Sequence, residues 1–240
     1  MAVFVLVHGA FFGAWCWNRV TPRLQSHGHD VYTVTLTGLG ESAHLLTPEV
    51  GLQTHVDDVV RLLESRDLSE VVLVGHSYSG IVIGCASHRM PERIAHLVYC
   101  DAFVPEDGKS LFDLQVRRFS GMLQQLAVTE GEGWKVPPLD PAGETLGITD
   151  PNDVEWLRSK LTAHPLRTLT EPAVLGNADA DQIRRTYILC TGNPPDGSFP
   201  RIAHRIKASA DWRYMELAAP HAAMVAAPEK LADTLLQVMV

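Results

Sequence analysis

The sequence predicts an α/β protein: a parallel sheet of about six strands, covered by helices on both faces. Three observations carry that class. Short apolar runs alternate along the 240 residues with amphipathic segments. The runs are nearly continuous in aliphatic residues, as strands are when both of their faces are buried under crossover helices. One of them, Val71-Val72-Leu73-Val74, stops at Gly75 and passes through His76-Ser77-Tyr78-Ser79-Gly80 straight into a helix-compatible segment.

In chain order, the first strand is Val3–Val7, followed by His8-Gly9 and an expected helix over Trp15–Ser26. A turn at His27-Gly28-His29 leads to a strand over Asp30–Thr35, and Thr37-Gly38-Leu39-Gly40 punctuates the exit. A helix over Leu52–Arg66 precedes the strand Val71–Val74, and a second helix over Gly80–His88 follows it. Met90-Pro91 stops that helix before the strand Ile94–Cys100. The last units are a strand over Thr186–Cys190, a helix over Pro200–Ser209, a strand over Arg213–Leu217 and a helix over Pro228–Met239.

The alternation breaks between residues 104 and 176. That stretch is too long for a loop inside a compact domain, and it carries helical patterns over Ser110–Leu126 and Pro151–Leu161. It is expected to be a cap inserted into a single domain spanning residues 1–240, lying over the end of the sheet that holds the site.

Composition narrows the function classes. A hydrophobic share of 46% supplies a sizeable core. A net charge of −8 without a basic run argues against nucleic acid as a partner. No apolar run reaches the roughly 18 residues that span a bilayer, so no membrane partner is expected. The chain opens directly on a strand without a secretory leader, which points to a cytoplasmic enzyme. Cys16, Cys85, Cys100 and Cys190 are widely spaced and read as core thiols. Neither a metal nor another cofactor is expected. Association into a homodimer is compatible with the sequence.

The chemistry is carried by Ser77. A serine on a sharp strand-to-helix turn is exposed above the sheet, and the following helix N-terminus favours developing negative charge. The small residues around it allow the turn, although Ser79 stands where glycine is usual and Gly80 comes one place later. Acyl transfer further requires a base, an acid that orients it, and two donors for the oxyanion. His221, between the last strand and the last helix, is the base candidate. Of the other histidines, His44 and His55 read as surface residues, and His88, His96 and His204 as residues at element ends. The oxyanion donors are expected from the amide of Tyr78 and from the turn after the first strand, through Ala10 or Phe11. Three residues compete as the orienting group: Asp101 at the end of the strand Ile94–Cys100, Asp196 in a Pro-Pro-Asp-Gly turn, and Asn193 as a neutral substitute. Phe11 and Phe12 in the first turn, with Phe103, are expected to line a pocket for a small apolar or aromatic group.

With these residues the chain resembles the α/β-hydrolase superfamily. It is most similar to the branch of plant methyl-ester hydrolases, plant hydroxynitrile lyases and bacterial pyrethroid-type esterases. The matching segments are Phe4-Val5-Leu6-Val7-His8-Gly9-Ala10, Gly13–Trp17, Val72–Gly80, Asp101–Pro105 and His221–Leu231. The resemblance implies Ser77 and His221 as the catalytic pair, with Ala10 and Tyr78 as oxyanion amides. It places an acid where this chain has Asn193, a departure from most of the family. The lyases carry threonine at the position of Gly9 and lysine at that of Ala222, so hydrolysis is the better expectation here.

The function expected is therefore a serine hydrolase of the carboxylesterase type, acting on a small-molecule ester, with carbamates and activated amides as related acyl groups. Two other classes are weighed against it. A lyase or cofactor-free oxygenase can use the same fold, the oxygenases with an acid placed as Asp101 is. A non-catalytic ligand-binding protein of this fold would usually lack the serine or the histidine.

Overall fold

The computed structural model describes residues 1–142 and 146–239. Residues 143–145 of the expected cap, and Val240, lie outside the described residues. In chain order the strands are β1 (Val3–Val7), β2 (Asp30–Val34), β3 (Val71–His76), β4 (Ile94–Cys100), the two-residue β5 (Lys135–Val136) and β6 (His164–Pro165), β7 (Arg184–Cys190) and β8 (Arg213–Leu217). Six of them form one sheet in the order β2-β1-β3-β4-β7-β8, with every neighbouring pair parallel. The apolar runs dictate this: the side chains of Phe4 to Val7 and of Val71 to Val74 are buried on both faces of the sheet.

The helices are α1 (Thr21–Ser26), α2 (Leu52–Ser65), α3 (Ser79–Arg89), α4 (Leu111–Leu114), α5 (Arg117–Glu130), α6 (Pro151–Lys160), α7 (Arg167–Thr170), α8 (Ser198–Lys207), α9 (Ala223–Ala226) and α10 (Pro228–Gln237). Two expected helices are broken. Over Trp15–Ser26 the chain forms a 3₁₀ turn at Ala14–Trp17 and then α1, whose second residue is Pro22. Proline fits the first helical turn but cannot continue a helix already under way, so a fresh start is forced there. Over Ser110–Leu126 a capping box between Ser110 and Asp113 starts α4, but Gln115 and Val116 are extended and α5 begins again at Arg117.

Register decides where the site falls. Val7 lies opposite Gly75, His76 opposite Cys100, and Cys100 opposite Ile188. The residues that follow β1, β3, β4 and β7 therefore emerge side by side at one edge. The chain leaves β1 for β2 on one flank and returns to β3 on the other, so this edge includes the crevice where parallel sheets bind ligands. The segment between β4 and β7 carries α4 to α7 and the antiparallel β5–β6 ribbon. It is tied to the core by Thr162 N–H to Phe11 O at 3.0 Å and by Ala222 N–H to Leu146 O at 3.2 Å.

Candidate active site

Ser77 sits at the tip of the turn between β3 and α3 with φ of 57°, in the left-handed region that a serine adopts only under constraint. The constraint comes from both sides. Its N–H donates to Cys100 O at 3.3 Å, and its carbonyl accepts from Phe103 N–H at 3.0 Å. Gly80 allows that approach: a Cβ there would stand 2.0 Å from Phe103 O. Position 79 needs no glycine. The Ser79 hydroxyl instead donates to His8 O, tying the nucleophile turn to the turn after β1.

His221 lies between β8 and α9 and is 8% exposed. Its Nε2 is 3.0 Å from Ser77 Oγ, and its Nδ1 is 2.5 Å from Asp101 Oδ2. Asp101, immediately after β4, is fully buried with φ of 46°. Its Oδ1 accepts from Cys190 N–H at 3.0 Å and its Oδ2 from Asn193 Nδ2 at 2.6 Å. A buried carboxylate is tolerable only when its oxygens are occupied in this way. Of the three competing groups, Asp101 is thus the one that meets His221. Asn193 supports Asp101 from behind. Asp196 lines the cavity mouth, is exposed, and makes no hydrogen bond to His221. Two rings flank the imidazole: Phe199 stacked at 4.7 Å and 13°, and His76 at 4.6 Å and 38°.

The turn after β1 faces Ser77. The Phe11 amide donates to His164 Nδ1 at 3.4 Å, so of the two amides expected there it is the engaged one. Among the described residues neither the Ala10 nor the Tyr78 amide has a protein acceptor. These are the two donors left for an oxygen held above Ser77. Ala10, Phe11, Phe12, Tyr78 and Phe103 all line one cavity of about 620 Å³ together with Ser77 and His221. Leu111, Phe119, Met122, Leu123, Leu146 and Leu161, from the segment between β4 and β7, complete its largely apolar wall.

Sequence reasoning missed four buried histidines that hold this geometry. His55, expected at the surface, is fully buried, because α2 packs against α3. Its Nε2–H donates to Thr37 O at 2.8 Å, so Nδ1 accepts the Tyr78 hydroxyl at 2.9 Å and pins the residue beside Ser77. His164, from β6, accepts from Phe11 N–H and donates through Nε2 to Thr168 Oγ1 at 2.7 Å. His8 donates through Nδ1 to Gly9 O at 2.8 Å and accepts from Leu36 N–H at 3.1 Å. His76 donates through Nε2 to His221 O at 2.9 Å, and its Nδ1 has no partner among the described residues. At His8 and His164 a backbone N–H donates to the ring, which needs the neutral form. Burial lowers the pKa values of all four, to about 3 for His55, to about 4 for His8, and well below the usual range for His76 and His164. His8 was legible in part from its place before Gly9, but each of the other three has at least one partner far off in sequence.

Among the described residues, no three His, Cys, Asp or Glu side chains are grouped to hold a metal ion, and no helix is long and apolar enough to cross a membrane. What the arrangement offers is a polarised hydroxyl beside two free amides, under an apolar roof.

Comparison with known proteins agrees with this fold. Residues 4–234 match the Alpha/beta hydrolase family. A carbendazim-hydrolyzing esterase of Nocardioides sp. (strain SG-4G) is 36% identical, with 98% of each chain covered. Salicylic acid-binding protein 2 of Nicotiana tabacum is 28% identical over 98% of this chain and 96% of that one. Among solved structures, an extracellular alpha/beta-hydrolase from a Paenibacillus species superposes with a TM-score of 0.86 at 25% identity, covering 99% of this chain and 98% of the other. The chain belongs to the alpha/beta hydrolase family and is an enzyme of the carboxylesterase type.

Proposed function

We propose that this enzyme hydrolyses a small apolar or aromatic carboxylic ester, carbamate esters included, through an acyl-enzyme on Ser77. The observation that carries the reading is the unbroken chain from Ser77 Oγ through His221 to buried Asp101. His221 Nε2 takes the serine proton as Oγ attacks the carbonyl carbon, and Asp101 holds Nδ1–H and balances the imidazolium. The Ala10 and Tyr78 amides receive the oxyanion. His221 then passes its proton to the departing alkoxide, which leaves as the alcohol. A water, deprotonated by the same nitrogen, attacks the acyl carbon. Ser77 recovers its proton, and the acid leaves.

The substrate class rests on the cavity. Phe11, Phe12 and Phe103 with the apolar capping side chains suit a compact apolar group. The likeness to a relative named for hydrolysing carbendazim is a further support. The test is a panel of short p-nitrophenyl, aryl and methyl esters with matched carbamates, run beside labelling by a fluorophosphonate probe. Turnover of small esters and a probe adduct on Ser77 are expected. A protein that neither turns over any of them nor takes the label is not a serine esterase.

A further inference from the structure

We infer that Gln115 is a hydrogen-bond-donating subsite in this cavity, and that the substrate is an ester of an aromatic acid carrying an uncharged acceptor, such as a ring nitrogen, that meets it. The inference rests on the esterase reading above and adds a specificity element to it.

Gln115 stands in the extended break between α4 and α5, on the segment between β4 and β7, and lines this cavity at its boundary with a second, more polar one that Glu106, Lys109 and Asp113 line. Its backbone is held by N–H donation to Leu111 O at 2.9 Å. Its side chain is held too. The Val116 N–H lies 3.0 Å from Oε1, and the hydroxyl of buried Ser198, at the start of α8, donates to the same oxygen. The Val116 amide also reaches Ser198 Oγ at 3.1 Å. An N–H can only donate, so the amide atom facing Val116 is oxygen and the orientation of the side chain is decided. Nε2 is left with both of its hydrogens, and among the described residues no protein atom accepts them.

The surroundings sharpen the point. On the side of this cavity the lining shared with Gln115 includes Leu111, Phe119, Met122 and Leu123, none of which offers a polar partner. Asn193 is committed to Asp101. Ser198 is committed to Gln115, and the next residue, Phe199, stacks on His221. A fixed donor in an apolar wall is the pattern by which a pocket selects one acceptor of an otherwise apolar ligand. A neutral amide suits a neutral acceptor. The exposed Arg118, also on the cavity, is the group that would instead select an anion.

The test uses the Ser77→Ala protein, so that binding is read without turnover, with methyl benzoate and the three isomeric methyl pyridinecarboxylates at pH 8. At least one pyridine isomer is expected to bind about tenfold more tightly than methyl benzoate, the size of effect a single hydrogen bond supplies. Adding Gln115→Glu keeps an oxygen for Val116 and Ser198 but removes the donor. It should bring that preference to within about twofold, with methyl benzoate reporting that the cavity is intact. Gln115→Leu should do the same. A preference that survives both substitutions overturns the inference, as does equal binding of all four esters to Ser77→Ala. Tighter binding of monomethyl phthalate, abolished by Arg118→Ala, would show that the subsite selects an anion instead. Turnover of methyl benzoate by the unsubstituted enzyme is measured separately, so failure of the esterase reading is seen apart from failure of this one.

Discussion

Asn193 Nδ2 donates at 2.6 Å to Oδ2 of Asp101, the same oxygen that stands 2.5 Å from His221 Nδ1. The two residues come from different strand ends, Asp101 after β4 and Asn193 three residues after β7, and the parallel pairing of those strands brings them together. An aspartate at 193 would set two carboxylates against each other beside one histidine. An asparagine turns that neighbour into a donor, which holds the carboxylate in place.

Asp101→Asn is expected to lower kcat on a small ester by about 10³ to 10⁴, because the amide can present N–H₂ to the imidazole and favour the wrong tautomer. Asn193→Ala should cost less, about tenfold, since Cys190 N–H still holds the other oxygen. Asp196→Asn should change kcat less than threefold. Steady-state rates for the three variants on one ester decide the order, and a crippled Asp196→Asn would move the acid to the turn after β7.

Ser77→Ala should remove ester turnover, by on the order of 10⁴ or more, while the thermal midpoint stays within a few degrees of the parent. The fold does not depend on the hydroxyl, whose one protein partner among the described residues is His221. A variant that retains a tenth of the rate would rule out the serine mechanism.

Gly80→Ala is expected to destabilise strongly, by about 3 kcal/mol or more, because the added Cβ would meet Phe103 O at 2.0 Å and force α3 and the segment after β4 apart. Ser79→Ala should be milder, about 1 to 2 kcal/mol, from the unpaired His8 carbonyl it leaves. Urea midpoints of the two variants test the ranking, which would be reversed if Ser79 rather than Gly80 set the approach.

Stability should fall with acid before the carboxylates titrate. Histidine in an unfolded chain takes up its proton near about 6.5, whereas burial lowers folded His55 to about 3 and His8 to about 4. Between about 6.5 and about 4 the unfolded chain binds more protons, so stability drops as pH drops, by about 1.4 kcal/mol per pH unit for each such histidine. Urea unfolding at pH 7.5, 6 and 5 should show the decline, and His55→Gln should make it shallower. An unchanged slope in that variant would mean that the ring is not buried neutral.

Much of this was legible from local pattern. Apolar runs placed all six main strands, and β3 to α3 marked Ser77 because a strand, a small-residue turn and a helix are neighbours in sequence. His221 followed from its position between the last strand and the last helix. The same reasoning put His55 at the surface, since nothing near it in sequence shows that α2 lies against α3 or that Tyr78 reaches across. It drew single helices over Trp15–Ser26 and Ser110–Leu126 because helical pattern continues through a break that only Pro22, or the extended Gln115 and Val116, impose.

By itself the sequence determined the class of fold, the strand content, the turn that strains Ser77, and the histidine loop. All of these depend on residues within a few positions of one another, where hydrophobic pattern and turn chemistry act directly. The tertiary structure alone decided that Asp101 rather than Asp196 meets His221. It also decided that Asn193 serves as a donor, that four neutral histidines brace the site, and that Gln115 turns its amide nitrogen free. Those outcomes depend on β-sheet register and on which side chains compete for the same buried hydrogen-bond partner, and such competition is settled only when distant segments are packed together.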